Sequence, residues 1–224
     1  MNVKEYILND ITDLTLKSSI KNAIDICKRL PITHVPIVEN DKLIGCLSET
    51  DFQIIEDETS TISEYSHLID FFYADENTAM LNLIKLFTNN ETNILPVLND
   101  EKKYLGYFEL SDILDLFCTS PFLINEGIII VVEKNKKDFS ISEISQIIEV
   151  NGGKILGLYR SLDISDNSQA TIKINSEDIN EIIQTFRRYN YNVVSEHKDD
   201  FYLQDLKDRS DYLQKYLEIG RAHV

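Results

Sequence analysis

The chain has 224 residues, 43 % hydrophobic and 27 % charged, a balance that supports folded cores and excludes a disordered chain. Its formal net charge is −16, and the acidity is uneven: residues 1–126 carry 9 Lys and Arg against 22 Asp and Glu, while residues 127–202 carry 9 against 12. A field of that sign repels a phosphate backbone and argues against nucleic acid as a partner, and no apolar run approaches the ~20 residues of a membrane span.

The elements follow in chain order. Ile20, Ala23, Ile24, Cys27 and Leu30 share one face at helical spacing. A short strand Val35–Val38 containing Pro36 comes next; a proline suits a strand start or edge. The polar turn Glu39–Lys42 leads to a strand Leu43–Leu47, and Thr50-Asp51 ahead of an apolar segment signals a helix start. Glu56–Asp70 reads as an acidic linker with a short helix. The pattern then recurs. Thr78–Ile113 lies over Ser18–Phe52 at an offset of 60, which becomes 61 from Gly45/Gly106 onward, with the extra residue in the turn. The second copy has its helix face at Met80, Leu83, Ile84 and Phe87, strands Ile94–Leu98 and Tyr104–Phe108, and Ser111-Asp112 at the helix start. One copy alone leaves an apolar face open, so two are expected to pack together.

After Thr119-Ser120-Pro121 the order changes. Gly127–Glu133 reads as a buried strand. Ser140–Val150 is a helix with a Ser140/Glu143 capping box, closed by Asn151-Gly152-Gly153. Lys154–Leu162 and Gln169–Ile174 are two strands, Ser176–Arg188 is a helix and Asn192–Glu196 a last strand. This β-α-β-β-α-β order is the ferredoxin-like split unit. Leu203–Leu217 is expected to form an amphipathic helix that packs on its own or a partner subunit. Glu218–Val224 resembles translated sequencing adapter, so the natural chain is expected to stop near Leu217 or Ile219. The domain division is therefore 1–60 and 61–122 for the repeats, 126–202 for the split unit and 203–224 for the tail.

The Pro-containing strand followed by Gly45-Cys46-Leu47-Ser48-Glu49-Thr50-Asp51, and again by Gly106-Tyr107-Phe108-Glu109-Leu110-Ser111-Asp112, resembles the CBS domain over roughly residues 1–122, two copies forming a Bateman module. The second copy departs from the pattern at Glu109, where the first hydroxyl belongs. The resemblance implies an adenosyl ligand of the AMP, ADP or ATP class in the clefts between the copies. Asp51 and Asp112 would hold ribose hydroxyls, with Thr50 and Ser111 toward phosphate, Thr33, His34, Val35, Asn93 and Ile94 near the base, and Ser48 among the ligand-binding residues. A carboxylate accepts from both hydroxyls of a ribose diol. The same Ser/Thr-Asp pattern is also an ordinary helix cap, and both roles stay open.

The split unit resembles an ACT domain over about residues 126–198, so the α/β repeat pair and the α+β split unit together are similar to CBS-ACT regulatory proteins of the acetoin-utilisation type. That resemblance implies pairing into a homodimer. The family's Gly-containing loop after the first strand is here Lys134–Phe139, without glycine, which favours dimerisation or transmission over amino-acid binding.

Catalysis is not expected. His34, His67, His197 and His223 stand apart from one another in no paired-ligand or triad pattern, and no nucleophile or phosphate-loop motif occurs. No cofactor and no metal is called for; an adenine nucleotide enters only as a regulatory ligand. Cys27, Cys46 and Cys118 have no paired spacing and read as buried apolar residues of a reducing compartment. With no secretory leader at the N-terminus, the cytoplasm is the expected location. The two functions carried forward are a ligand sensor that acts on an unknown partner in trans, and a dimeric scaffold that binds no ligand.

Overall fold

A computed structural model describes residues 3–195 apart from Asp13 and Ser165. The predicted helix Leu203–Leu217, the tail, His197 and His223 lie outside the described residues. Met1–Thr119 and Ser120–Val224 form two units. Among the described residues no helix is long and apolar enough to cross a membrane.

In the first unit, α1 (Ile20–Arg29) starts where the Ser19 hydroxyl accepts from the Asn22 amide at 3.3 Å. It stops at Leu30, before Pro31, as proline disfavours helical geometry in the residue it follows. It buries Ile20, Ala23, Ile26 and Cys27. Ile24 and Leu30, placed by sequence on the inward face, are half-buried. Strands β1 (His34–Glu39) and β2 (Lys42–Ser48) pair antiparallel about Asn40-Asp41, both at positive φ as a tight hairpin turn requires. A short 3-10 helix, Glu49–Ile54, stands where an α-helix start was expected. The linker carries a second 3-10 helix, Ile62–Leu68, kinked at Tyr65. The second copy comprises β3 (Ala74–Asp75), α2 (Met80–Asn89), β4 (Ile94–Leu98), β5 (Tyr104–Glu109) and α3 (Leu110–Cys118), with sheet order β3-β4-β5.

Pro96 sits in β4, a central strand rather than an edge. The parallel partner β3 begins pairing only at Val97, so the missing proline N–H falls outside that ladder. Cys27 and Cys46 are buried, but Cys118 is exposed. It lies two residues past the inward Leu116, about 200° around the helix.

The two copies are joined by a reciprocal exchange that periodicity does not reveal. Leu8, ahead of the first copy, makes a two-way backbone bridge with Tyr107 on β5, at 2.9 and 2.8 Å. Asp70, ahead of the second copy, makes the matching bridge with Cys46 on β2, at 2.7 and 3.0 Å. Both motif glycines follow from this. Gly45 and Gly106 have φ of +152° and +140°. A Cβ on Gly45 would lie 2.7 Å from the Asp70 carbonyl oxygen, and one on Gly106 would run into the Leu8 carbonyl. The exchange extends into the cores. Ile94 and Tyr107 pack with the first copy's Ile20, Ile37 and Leu47, while Cys46 packs with the second copy's Leu83, Leu95 and Phe108.

The second unit opens with a short helix α4 (Pro121–Ile124), whose Phe122 covers Gly157 and meets the Tyr159 ring edge-on at 6.2 Å. Strands β6 (Ile128–Asn135), β7 (Lys154–Ile164), β8 (Asn167–Asn175) and β9 (Asn192–Val193), with α5 (Ile141–Val150) and α6 (Ile179–Arg188), make an antiparallel sheet of order β7-β8-β6-β9. That is the ferredoxin-like arrangement. Inward residues of β6 and β8, including Ile130, Val132, Ile172 and Ile174, pack against Ile144, Ile148, Ile182, Ile183 and Phe186 of the two helices. Helix α6 starts three residues later than Ser176, because the Asp178 carboxylate accepts from the Asn180 and Glu181 amides and so sets the cap. Only half of the expected Ser140 box forms. Ser140 accepts from the Glu143 amide at 3.2 Å, but the Glu143 carboxylate turns to Lys134 at 2.8 Å.

Candidate functional site

The first copy holds a cleft of about 590 Å³. The start of β1 brings Thr33 and His34 to it. The turn after β2 brings Ser48, Thr50 and Asp51, together with Glu49. The opposite walls are Asp70, Phe71 and Phe72 from the exchanged linker, and Asn89, Asn90 and Glu91 from the end of α2. Five of the ten residues assigned from sequence therefore share one cleft.

Local hydrogen bonds set these side chains. Ser48 caps the 3-10 helix: its hydroxyl accepts from the Thr50 amide at 3.2 Å and lies 2.7 Å from the Thr50 hydroxyl. Asp51 closes the capping box, accepting from the Ser48 amide at 3.3 Å. The cap is thus Ser48, two residues ahead of the Thr50 that sequence placed there. His34 is buried at 7 % exposure, with its Nδ1 3.0 Å from the Thr33 hydroxyl and its ring edge-on to Phe72 at 5.4 Å. Burial holds the imidazole below the ordinary histidine range, although Asp70 and Asp51 pull the other way.

The other assigned residues are placed differently. Val35 is fully buried: strand alternation turns it into the core when His34 faces the cleft. Ile94, the counterpart of His34, is fully buried in the same core. Asn93 bonds to its own counterpart, Thr33. Its Oδ1 accepts from the Thr33 backbone amide at 2.8 Å and from the Thr33 hydroxyl at 3.0 Å, and its backbone N–H donates to the Thr33 hydroxyl at 3.1 Å. The two residues knit the strand starts together across the repeat's pseudo-twofold.

Ser111 and Asp112 belong to the second copy's equivalent position. There the cap residue of α3 is Glu109, which makes no side-chain cap bond and instead accepts from the Ser111 hydroxyl at 2.8 Å. Burial first, then Glu109 and Asp115, push the Asp112 carboxyl above its ordinary range. Nearby, Tyr107 donates to Asp10 at 2.7 Å, and burial together with that bond raises its phenol.

Sequence reading did not find Asp70, Phe71, Phe72 or Glu91. The repeat alignment carries no trace of the exchange that brings the linker to the first copy. Glu49 sat in the motif as an unassigned position. Among the described residues, no group of three or more His, Cys, Asp and Glu is placed to hold a metal ion.

The CBS domain family model matches residues 3–53 and 62–118. Over 111 residues the chain is 28 % identical to the inosine-5'-monophosphate dehydrogenase of Methanocaldococcus jannaschii, covering 49 % of this chain and 22 % of that protein. The enzyme of the same name from Aquifex aeolicus is 29 % identical over 109 residues, covering 46 % and 22 %. The match thus spans about a fifth of the length of these relatives. Among solved structures, a CBS domain pair/ACT domain protein from Thermotoga maritima is similar at a TM-score of 0.47 and 17 % identity, covering 52 % of this chain and 96 % of that one. CBSX2 in complex with AMP is similar at 0.43 and 14 %, covering 52 % and 95 %.

Proposed function

We propose, from the premise that the first unit is a tandem pair of CBS domains, that its first cleft binds an adenosyl compound and that the protein is a regulatory sensor acting on a partner in trans. The observation that carries this reading is the cleft of about 590 Å³ at which Thr33, His34, Ser48, Thr50 and Asp51 meet the linker's Phe71 and Phe72. The volume lies in the range of small-molecule sites. Asp51 offers a carboxylate for a ribose diol, and the aromatic wall offers apolar surface for a base. Ligand binding regulates only if it differs between two states. The exchanged linker suits that requirement, since Asp70–Phe72 both lines the cleft and bridges the copies.

The reading is of binding without catalysis. The C-terminal unit is taken as an ACT-like pairing and transmission domain that makes a homodimer. Support comes from its strand order and from Lys134 at the head of the expected ligand loop, which is tied to Glu143. A second reading, a scaffold that binds no ligand, is favoured by one observation. Asp51 accepts from the Ser48 amide, the Ser48 hydroxyl accepts from the Thr50 amide, and the Thr33 hydroxyl donates to Asn93, so these polar groups already have partners inside the protein.

The test is a thermal-shift and calorimetric titration of the full chain with adenosine, AMP, ADP, ATP and S-adenosylmethionine. A bound compound at 100 times its Kd adds about 2.7 kcal/mol to stability, and Asp51→Ala removes that gain. No response to any adenosyl compound at millimolar concentration rejects the sensor and leaves the scaffold.

A further inference from the structure

We propose that the outer face of the C-terminal sheet is a docking surface for this chain's own segment Leu203–Leu217, which lies across it as an amphipathic helix. The proposal is independent of the adenosyl reading above.

The sheet has two faces, and α5 and α6 cover one of them. Ile130 and Val132 of β6, with Ala170, Ile172 and Ile174 of β8, pack on those helices and are buried. Strand alternation turns their neighbours to the other face. There the register lines up Tyr159 of β7, Thr171 of β8 and Val131 of β6. The row ends at Val194, whose N–H donates to the Val131 carbonyl at 2.8 Å. Ile129 and Leu162 flank it on neighbouring pairs. Ile129 is 53 % exposed, Tyr159 50 %, and Leu162 and Val194 47 % each. A face built for water carries polar residues at such positions, and a contiguous apolar patch marks an interaction surface. Helix α4 meets this face at Gly157, under Phe122, and at Lys173, which donates to the Leu123 carbonyl at 3.3 Å.

The occupant follows from where the chain leaves the sheet. Strand β9 lies at the sheet edge beside β6, and the chain bends at Ser195, whose hydroxyl accepts from the Val131 N–H at 3.0 Å. The exit therefore stands next to Val131 and Val194. The eight residues from Ser195 to Leu203 reach at most roughly 28 Å, and four strands are about 14 Å wide. Leu203, Leu206, Leu213 and Leu217 share one face at helical spacing, and Asp205, Asp208, Asp211 and Lys215 fall opposite. A helix over these residues is about 22 Å long, enough to cross all four strands diagonally. A segment tethered at the edge of its docking site acts at a high effective concentration, which favours it over a free partner or a second copy.

The experiment places the photo-crosslinking residue p-benzoylphenylalanine at Ile129 in the full chain and maps the products by mass spectrometry. The expected result is a crosslink to a peptide within residues 202–217, in a species of single-chain mass. The same residue at Glu149, exposed on α5 across the sheet, should not capture that peptide. The Leu206→Asp/Leu213→Asp double variant should lose the Ile129 crosslink while circular dichroism shows the protein still folded. A crosslink to the same face of a second copy, to any other segment or to nothing overturns the proposal. Capture that survives the double variant, or that is equal from Glu149, also overturns it. Capture of the tail peptide in a species of twice the mass assigns the face to a second copy's tail, and the proposal falls.

Discussion

The two repeat copies share one backbone plan and differ at the polar positions around the Asp that follows the second strand. Both keep the glycine, the reciprocal bridge and the Asp after the second strand. In the first copy the positions around that Asp are Thr33, His34, Ser48 and Thr50, and they surround a cavity. In the second, Ile94 fills the place of His34 and is fully buried, and Glu109 replaces Ser48 and binds Ser111. The difference teaches that the fold and the polar lining beside it are separately encoded within one repeat. The glycine and the core are needed for two copies to dock; the polar positions are free to diverge once docking is secured.

The largest expected effects test the shared plan. Phe108 and Leu47 are equivalent and fully buried. Phe108→Ala should cost about 3–5 kcal/mol and Leu47→Ala about 2–5 kcal/mol in urea unfolding. A near-zero cost in one copy would break the equivalence of their cores. The glycines come next. Gly45→Ala and Gly106→Ala should each cost about 1–3 kcal/mol from backbone strain, with close contact adding to it. Gly106→Ala should be the worse, because its nearest obstacle is the Leu8 backbone, whereas Gly45 first meets the movable Ile69 side chain.

Smaller effects separate the clefts. Under the proposed function, Asp51→Ala should weaken adenosyl binding by roughly 10- to 100-fold, the loss of a hydrogen bond to a charged group. Asp112→Ala should change it less than about 2-fold; equal losses in calorimetry would mean that the second copy also binds. The pH response of His34 is weaker still. Its folded imidazole lies below the ordinary range, so the unfolded chain takes up the proton first. Stability from the neutral ring is full above a pH of about 6.5 and is lost as pH falls below it. His34→Ile, which copies the second repeat, should flatten that limb between pH 6.5 and 5 in denaturant titrations. A limb of unchanged slope assigns it to other groups. Glu109→Ser, the reverse exchange, should move stability by no more than about 1 kcal/mol at this half-buried cap, where the side chain makes no cap bond, while drawing the Asp112 carboxyl back down, an effect readable by NMR titration.

Much of the plan was legible as pattern. The helix faces, the hairpin and the β-α-β-β-α-β order follow from periodicity and turn residues. The errors arose where one local signal competes with another. Thr50-Asp51 looks like a cap, but Ser48 reaches the amide first. Asp178 outcompetes Ser176 as the start of α6. Cys118 is apolar by type and exposed by helical phase.

Sequence by itself determined that two equivalent α/β units are followed by an antiparallel split unit, because hydrophobic period and glycine placement are local properties that survive without neighbours. It also singled out Asp51, which lines the first copy's cleft. Only the tertiary structure decided that Asp70, Phe71 and Phe72 line the first copy's cleft, that Thr33 and Asn93 bind each other, and that His34 faces the cleft while Ile94 is sealed in the core. Those outcomes depend on the exchange of segments between copies. Contacts between residues 60 positions apart are set by which backbones can approach at Gly45 and Gly106, and no local pattern records that approach.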